Sequence, residues 1–460
     1  MSEIVCTSPI DGSIVARRAT TSAGEITQSL AIARRAQREW VQVSVAERGR
    51  LMLRFLEAMR SANADIAIEL ARQMGRPVRY GGEFRSFEER VTHMVSIAED
   101  ALADVVPGAK AGFTRYIRRV PLGLVLTLAP WNYPFLTAVN TIVPALMAGN
   151  AVLLKAASQT ILTGERFQAA FREAGVPAGL FTNLCLSHED TARLLASGAV
   201  DHVSFTGSVD GGRAIERAAA GTFTSIGLEL GGKDPAYVRA DANVSHAIEN
   251  IVDGTYFNSG QSCCAVERIY VHERLFDQFV DGFVALTRQY VLGDPLSPET
   301  TMGPMAHTRF ADVVRKQTHS AIANGARAHI APATFKAERD GTPYLGPQVL
   351  TGVDHTMAVM TEESFGPVVG IMPVHDDAEA LRLINDSPFG LTASVWTADL
   401  AAAAHLGAQI ETGTVYANRC DYLDPGLAWT GVKDTGRGAS LSPLGYETLT
   451  RPQSFHLREI

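Results

Sequence analysis

Four short stretches of the 460-residue chain put reactive side chains where the backbone turns tightly. "NSGQSCCAVERIYVH", Asn258 to His272, sets Cys263 and Cys264 side by side, after Gln261 and Ser262 and before an apolar run that reads as a strand. A free thiol is only a few per cent thiolate at neutral pH, so a nucleophilic cysteine needs a setting that lowers its pKa. In an apolar setting the same side chain is a small buried hydrophobe. "SIGLELGGKDP" places Glu229 between Leu228 and Leu230, just before Gly231 and Gly232, where apolar neighbours would raise its pKa toward that of a general base. A strand-end glutamate paired to a lysine is the competing reading. "APWNYP" offers the Asn132 amide as an oxyanion donor or as an ordinary turn residue. "FTGSVDGG" ends a strand at Gly207 and Ser208 and opens a helix, whose free N–H groups suit a phosphate, although the GxGxxG spacing is absent.

These stretches need a large scaffold, and the composition supplies one. With 46% hydrophobic and 20% charged residues, the chain can build two or three domains. A net charge of −8 offers no basic footprint for nucleic acid or an anionic membrane, which favours small-molecule work. The longest apolar run, Pro121 to Pro130, is far short of the roughly 20 residues that span a bilayer. The first residues lack a basic segment followed by an apolar one, so the expectation is a cytoplasmic protein with reduced thiols. Five cysteines without a CxxC, and no paired histidines, point away from a disulfide scaffold and from a metal site.

Apolar residues recur at three and four over Ala23 to Gln42 and Ser44 to Arg76, which predicts amphipathic helices. From Gly123 short β-rich runs alternate with helical stretches, the pattern of parallel βαβ units. The pattern restarts after Lys233 and predicts a second α/β domain. Ala111 to Val120 and the tail "LSPLGYETLTRPQSFHLREI" read as strands too polar for a core, pairing with each other or across a subunit boundary.

Taken in order, "PWNYP", "AGNAVLLKAAS", "FTGSVDGG", "LELGGKDP", "GQSCCA", "EESFGPV" and "FGLTASVWT" resemble successive motifs of the aldehyde dehydrogenase superfamily, from about residue 5 to the C-terminus. The resemblance implies a Rossmann-like cofactor domain (residues 1–107 and 121–231), an α/β catalytic domain (232–427) and a small β oligomerisation arm (108–120 and 439–460). It implies Cys263 as nucleophile, Glu229 as general base, and Asn132 with the Cys263 backbone N–H as oxyanion donors. The reaction it implies is NAD(P)-dependent oxidation of an aldehyde to the free acid, through a thiohemiacetal and a thioester.

The same resemblance assigns the cofactor to Trp131, Lys155, Ser158, Gly207, Ser208, Glu363 and Phe365. NAD-preferring members often have glutamate where Ser158 stands, so NADP is expected to be accepted as well as NAD. Arg419, Asp421, Tyr422 and Leu423 resemble the substrate-entrance loop, and the polar Thr137 and Asn140 on the tunnel helix favour a polar aldehyde; Arg419 would suit the carboxylate of a semialdehyde, whereas Asp421 and Asp424 would equally suit a cationic aminoaldehyde. A homodimer or homotetramer is expected. The competing readings are a catalytically silent relative, which the presence of Cys263, Glu229 and Asn132 disfavours, and a thiol redox protein using Cys263 and Cys264.

Overall fold

A computed structural model describes residues 2–460, and two mainly parallel sheets organise them. The first runs Gly436–Arg437, Ser225–Glu229, His202–Thr206, Leu124–Leu128, Ala151–Lys155, Phe181–Asn183, all parallel except Gly436–Arg437. The chain enters this sheet at Leu124–Leu128, steps outward to Phe181–Asn183, then returns to His202–Thr206 on the other side. This reversal leaves a crevice beyond the carboxyl ends of Leu124–Leu128 and His202–Thr206, where open parallel sheets take up ligands. All of Leu124–Leu128 is buried, as a strand covered on both faces requires.

The second sheet has the order Arg327–Ala328, Gln348–Thr351, Val368–Val374, Val266–His272, Asp234–Val238, Thr392–Trp396, Thr414–Ala417. Only Arg327–Ala328 is antiparallel to its neighbour. The strand Ser225–Glu229 runs through residues 230–233 straight into Asp234–Val238, so the carboxyl end of one sheet feeds the next. No side chain fits at this join. A Cβ on Gly231 would overlap the Glu363 carboxylate, and one on Gly232 would stand 2.5 Å from the Cys263 carbonyl oxygen.

Helices begin and end where their caps dictate. Ser22 and Glu25 form a reciprocal capping box ahead of Ala23–Trp40. Ser44 caps the 30-residue helix Val45–Met74, which Gly75 stops in the left-handed region at φ 85°. The Pro304 carbonyl crowds that glycine, so the stop is rigid, and it turns Arg76 into the interior.

The two polar strands pair with each other, Phe113–Pro121 against Thr450–Arg458, in antiparallel register along their full length. The tail differs from its predicted strand in its first half. Ser442–Thr448 is a helix that buries Tyr446, whose hydroxyl donates to the Met94 carbonyl at 2.6 Å. Its apparent alternation comes from about two turns of helix with one inward face. Residues 428–438, unassigned in the sequence reading, return to the first sheet, where Gly436–Arg437 pairs with Ser225–Glu229. Among the described residues no helix is long and apolar enough to cross a membrane.

Candidate active site

Cys263 follows a strained turn. In Phe257–Gly260, Asn258 and Ser259 sit in the left-handed region at φ 54° and 59°, which costs about 1–3 kcal/mol each unless surroundings enforce it. Here they do. The Asn258 carbonyl accepts from Gln261 Nε2 at 3.1 Å, and its side chain bonds both Arg76 Nε and the Gln261 carbonyl at 3.2 Å. Ser259 donates to the Gly303 carbonyl at 2.9 Å, while Gln261 Oε1 accepts from Ala306 N–H at 2.8 Å. The clamp leaves Cys263 half-buried on the wall of a cavity of about 400 Å³ that Glu229 also lines.

Asn132, 4% exposed, lies against this turn and donates from Nδ2 to the Gln261 carbonyl at 3.2 Å. Its own carbonyl accepts from Arg76 Nη2 at 2.6 Å. Arg76 also pairs with Glu83 at 2.6 Å, and its guanidinium lies 4.5 Å over the Tyr133 ring. The other Glu83 oxygen accepts from Phe135 and Leu136 N–H, capping the helix Pro134–Ala148. The sequence reading missed both Arg76 and Glu83. Arg76→Met strands a buried carboxylate and is expected to cost about 3–5 kcal/mol. At about 2 °C per kcal/mol for a large chain, thermal unfolding should shift down by roughly 6–10 °C, read by calorimetry against wild type.

Glu229 ends its strand with both oxygens engaged. Ser440 donates to one at 2.6 Å and Thr206 to the other at 3.1 Å. Burial raises its pKa, while these hydroxyls and the Arg90 charge pull it back down. Glu229 also borders a second cavity of about 240 Å³, with His202 on its wall. Burial lowers His202 to about 4, so that imidazole is neutral at physiological pH.

Cys264 is built differently from Cys263. It is 3% exposed and its thiol donates to Asp421 Oδ1 at 3.0 Å, which also accepts from Ser262 at 3.2 Å. Hydrogen bonding with Cys263 and burial push the Cys264 thiol well up, and burial raises Asp421 to about 6.

The residues assigned to a cofactor lie in two groups. Lys155, half-buried at the carboxyl end of its strand, has an ammonium whose pKa burial lowers, and no hydrogen-bond partner among the described residues. Ser158, exposed, opens the short turn Ser158–Thr160 beyond it. Gly207 N–H donates to the Glu229 carbonyl at 3.0 Å, and Ser208 Oγ caps the helix Val209–Ala219. The second group sits at the join of the sheets. Glu363 accepts from Gly232 N–H at 2.9 Å, and burial with the neighbouring Glu267 charge pushes it up to about 8. Phe365, at φ 50°, stands edge-on to Trp131 at 5.5 Å, and Trp131 stacks on Phe310 at 5.0 Å.

The buried Lys233–Glu267 pair, unread in the sequence, holds this loop through the N–H groups of Ser364 and Phe365. A helix N-terminus after His202–Thr206 and an unpartnered ammonium at the carboxyl end of Ala151–Lys155, on the same edge of the sheet, fit a dinucleotide.

Of the entrance residues, Asp421, Tyr422 and Leu423 line the Cys263 cavity, as do Thr137 and Asn140. Arg419 does not; its guanidinium stacks 3.4 Å over the Tyr422 ring.

Residues 1–455 match the model of the aldehyde dehydrogenase family. Among curated proteins, the chain is 30% identical to betaine aldehyde dehydrogenase 2 of Rhizobium meliloti, covering 98% of this chain and 93% of that one. It is 31% identical to an NAD(P)+ succinate semialdehyde dehydrogenase of Escherichia coli, covering 92% and 91%. Among solved structures, an aldehyde dehydrogenase from Brucella melitensis superposes with a TM-score of 0.95 at 26% identity, covering 100% and 94%. An NAD-dependent aldehyde dehydrogenase from Sinorhizobium meliloti superposes with a TM-score of 0.93 at 30% identity, covering 99% and 92%.

Proposed function

The chain belongs to the aldehyde dehydrogenase family, and on that premise we propose that it oxidises a polar aldehyde to the free carboxylic acid through a thioester on Cys263. It is an NAD(P)-dependent oxidoreductase acting on aldehydes. The reading is carried by one observation: Cys263 and Glu229 face one cavity, and the Asn132 amide is tied to the carbonyl of the turn that presents Cys263.

In this reading the Cys263 thiolate adds to the aldehyde carbon, and the oxygen takes the negative charge. The second amide hydrogen of Asn132 and the Cys263 N–H stabilise that charge where it develops. The bound nicotinamide supplies the hydride acceptor that turns this adduct into a thioester. Glu229 then takes a proton from a water, the water oxygen attacks the acyl carbon, and the Cys263 thiolate leaves. Relatives that pass the acyl group to coenzyme A commonly lack such a glutamate, so its presence here supports hydrolysis.

Lys155, Ser158, Gly207 and Ser208 are proposed to hold the adenosine and pyrophosphate, and Trp131, Glu363 and Phe365 the nicotinamide ribose end. The exposed Ser158 leaves room for a 2′-phosphate and a hydroxyl to donate to it. Ser158→Glu is expected to raise the KM for NADP about tenfold or more while changing that for NAD far less, because a carboxylate repels the phosphate. Steady-state titration of both cofactors checks it. The paired strands Phe113–Pro121 and Thr450–Arg458 are proposed to serve homo-oligomerisation in the cytoplasm.

The deciding assay follows reduced cofactor and acid product without coenzyme A across short aliphatic, aromatic, semialdehyde and aminoaldehyde substrates. Equimolar acid and reduced cofactor support the reading. Cofactor binding without turnover would return the silent-relative alternative.

A further inference from the structure

We propose that Arg90 anchors a carboxylate on the substrate, so that the aldehyde taken up is a short-chain semialdehyde. The proposal rests on Cys263 as the site of oxidation and names the substrate class for that site.

Arg90 lies on the helix Phe84–Ser96, 5% exposed, and lines the Cys263 cavity together with Asn140, Thr206 and Glu229. It keeps its charge at any physiological pH. Among the described residues it has no ion-pair partner. One nitrogen, Nη1, donates to the Leu136 carbonyl at 2.8 Å and to Asn140 Oδ1 at 3.1 Å. Nε is buried without an acceptor, and so is Asn140 Nδ2 beside it.

Other buried arginines are spent differently. Arg76 has Glu83, and Arg48 gives both terminal nitrogens to the carbonyls of Met147, Trp40 and Val41. Arg268 gives all three nitrogens to protein acceptors. Neither Arg48 nor Arg268 lines this cavity. Arg85 also lines this cavity without a protein partner, but it is exposed; among the buried arginines Arg90 alone combines a cavity position with an unspent edge, Nε and Nη2, the edge that takes a carboxylate side-on in two parallel hydrogen bonds.

The anions of the same cavity do not meet that demand. Glu83 is used by Arg76 and two backbone N–H groups. Asp421 is used by Ser262 and Cys264, and Asp253 is exposed. Glu229 is near enough for the Arg90 charge to act on it, yet both its oxygens are bonded to hydroxyls. Arg90 and Cys263 line one cavity, so a carboxylate at Arg90 and an aldehyde carbon at Cys263 belong to one short chain.

The test is a specificity ratio. Succinate semialdehyde, butanal and 4-aminobutanal are compared by kcat/KM in wild type, Arg90→Gln and Arg90→Lys. The wild-type ratio of semialdehyde to butanal should be about a hundredfold. It should fall to within about threefold of unity in Arg90→Gln, chiefly through KM, and recover in part in Arg90→Lys. A wild-type preference for butanal or aminobutanal overturns the proposal. So does an equal loss for every substrate in Arg90→Gln, which would make Arg90 a support for Glu229. Calorimetric titration with succinate separates this from the reaction itself. An enzyme that turns over no aldehyde, yet binds succinate in wild type and loses it in Arg90→Gln, retains the anchor and loses the reaction; no succinate binding to wild type counts against the anchor.

Discussion

Cys263→Ala is expected to lower aldehyde oxidation by about 10⁴-fold or more, while Cys264→Ala keeps it within about tenfold. The two thiols share a cavity wall but not a chemistry. Cys264 is 3% exposed, donates to Asp421, and is pushed well up by its bond to Cys263 and by burial. A thiol held in its protonated form is a poor nucleophile. The other cysteines are no better placed. Burial raises Cys6 to about 12 and raises Cys185 and Cys420 too, and none of the three lines the cavity. Cys263 is the half-buried cysteine on the cavity wall, at the end of a turn whose strain is held by Asn258, Gln261 and Arg76. Growth of reduced-cofactor absorbance reads the loss. Labelling with iodoacetamide reads the site, and an aldehyde bound in the cavity should slow it. Activity surviving Cys263→Ala but lost in Cys264→Ala would reverse the assignment.

The sequence was legible where chemistry lies within a few consecutive residues. Gln261 to Cys264, Glu229 with its glycines, and Asn132 each sit at the end of one strand or turn, so they stand out as local candidates, and the roles proposed for them come from the family resemblance. The support around them was not, because its partners are distant in the chain. Lys233 meets Glu267 after 34 residues and Arg76 reaches Asn258 after 182, and no period links such pairs. Glu83 carried a local oddity, a left-handed φ of 67°, which a sequence does not display for a residue other than glycine. Arg90 lies on a helix rich in charge, "FRSFEERV", where a solvated face is the ordinary expectation. Its burial follows from packing against Pro134–Ala148, a tertiary fact. The alternation of strands and helices announced parallel sheets, but their order depends on crossovers that hydropathy does not encode. The tail shows the opposite failure: alternation was present over Ser442–Thr448, and a buried Tyr446 made a helix of it.

Glu229→Gln should separate the two halves of the reaction rather than abolish both. Without a base for the water, the first half still proceeds, so mixing enzyme, cofactor and aldehyde should release a burst of about one reduced cofactor per site. Steady-state turnover should then be slower than wild type by about 10²–10⁴-fold, the usual worth of a positioned general base. The pH profile gives a second reading. Burial raises Glu229 above the ordinary glutamate value of about 4.3, against the pull of Ser440, Thr206 and Arg90. A raised pKa leaves less carboxylate on the acid side, so wild-type kcat, where hydrolysis limits it, should fall there through an apparent pKa above that value. The limb should vanish in Glu229→Gln. Ser440→Ala removes the shorter of the two stabilising hydrogen bonds and should move the limb to higher pH, in the direction that burial alone dictates. A Glu229→Gln enzyme with no burst would place this carboxylate in thiol activation or adduct formation instead. The distinction is physical: a base for water acts only after the hydride has gone, so its removal cannot diminish the first equivalent of reduced cofactor.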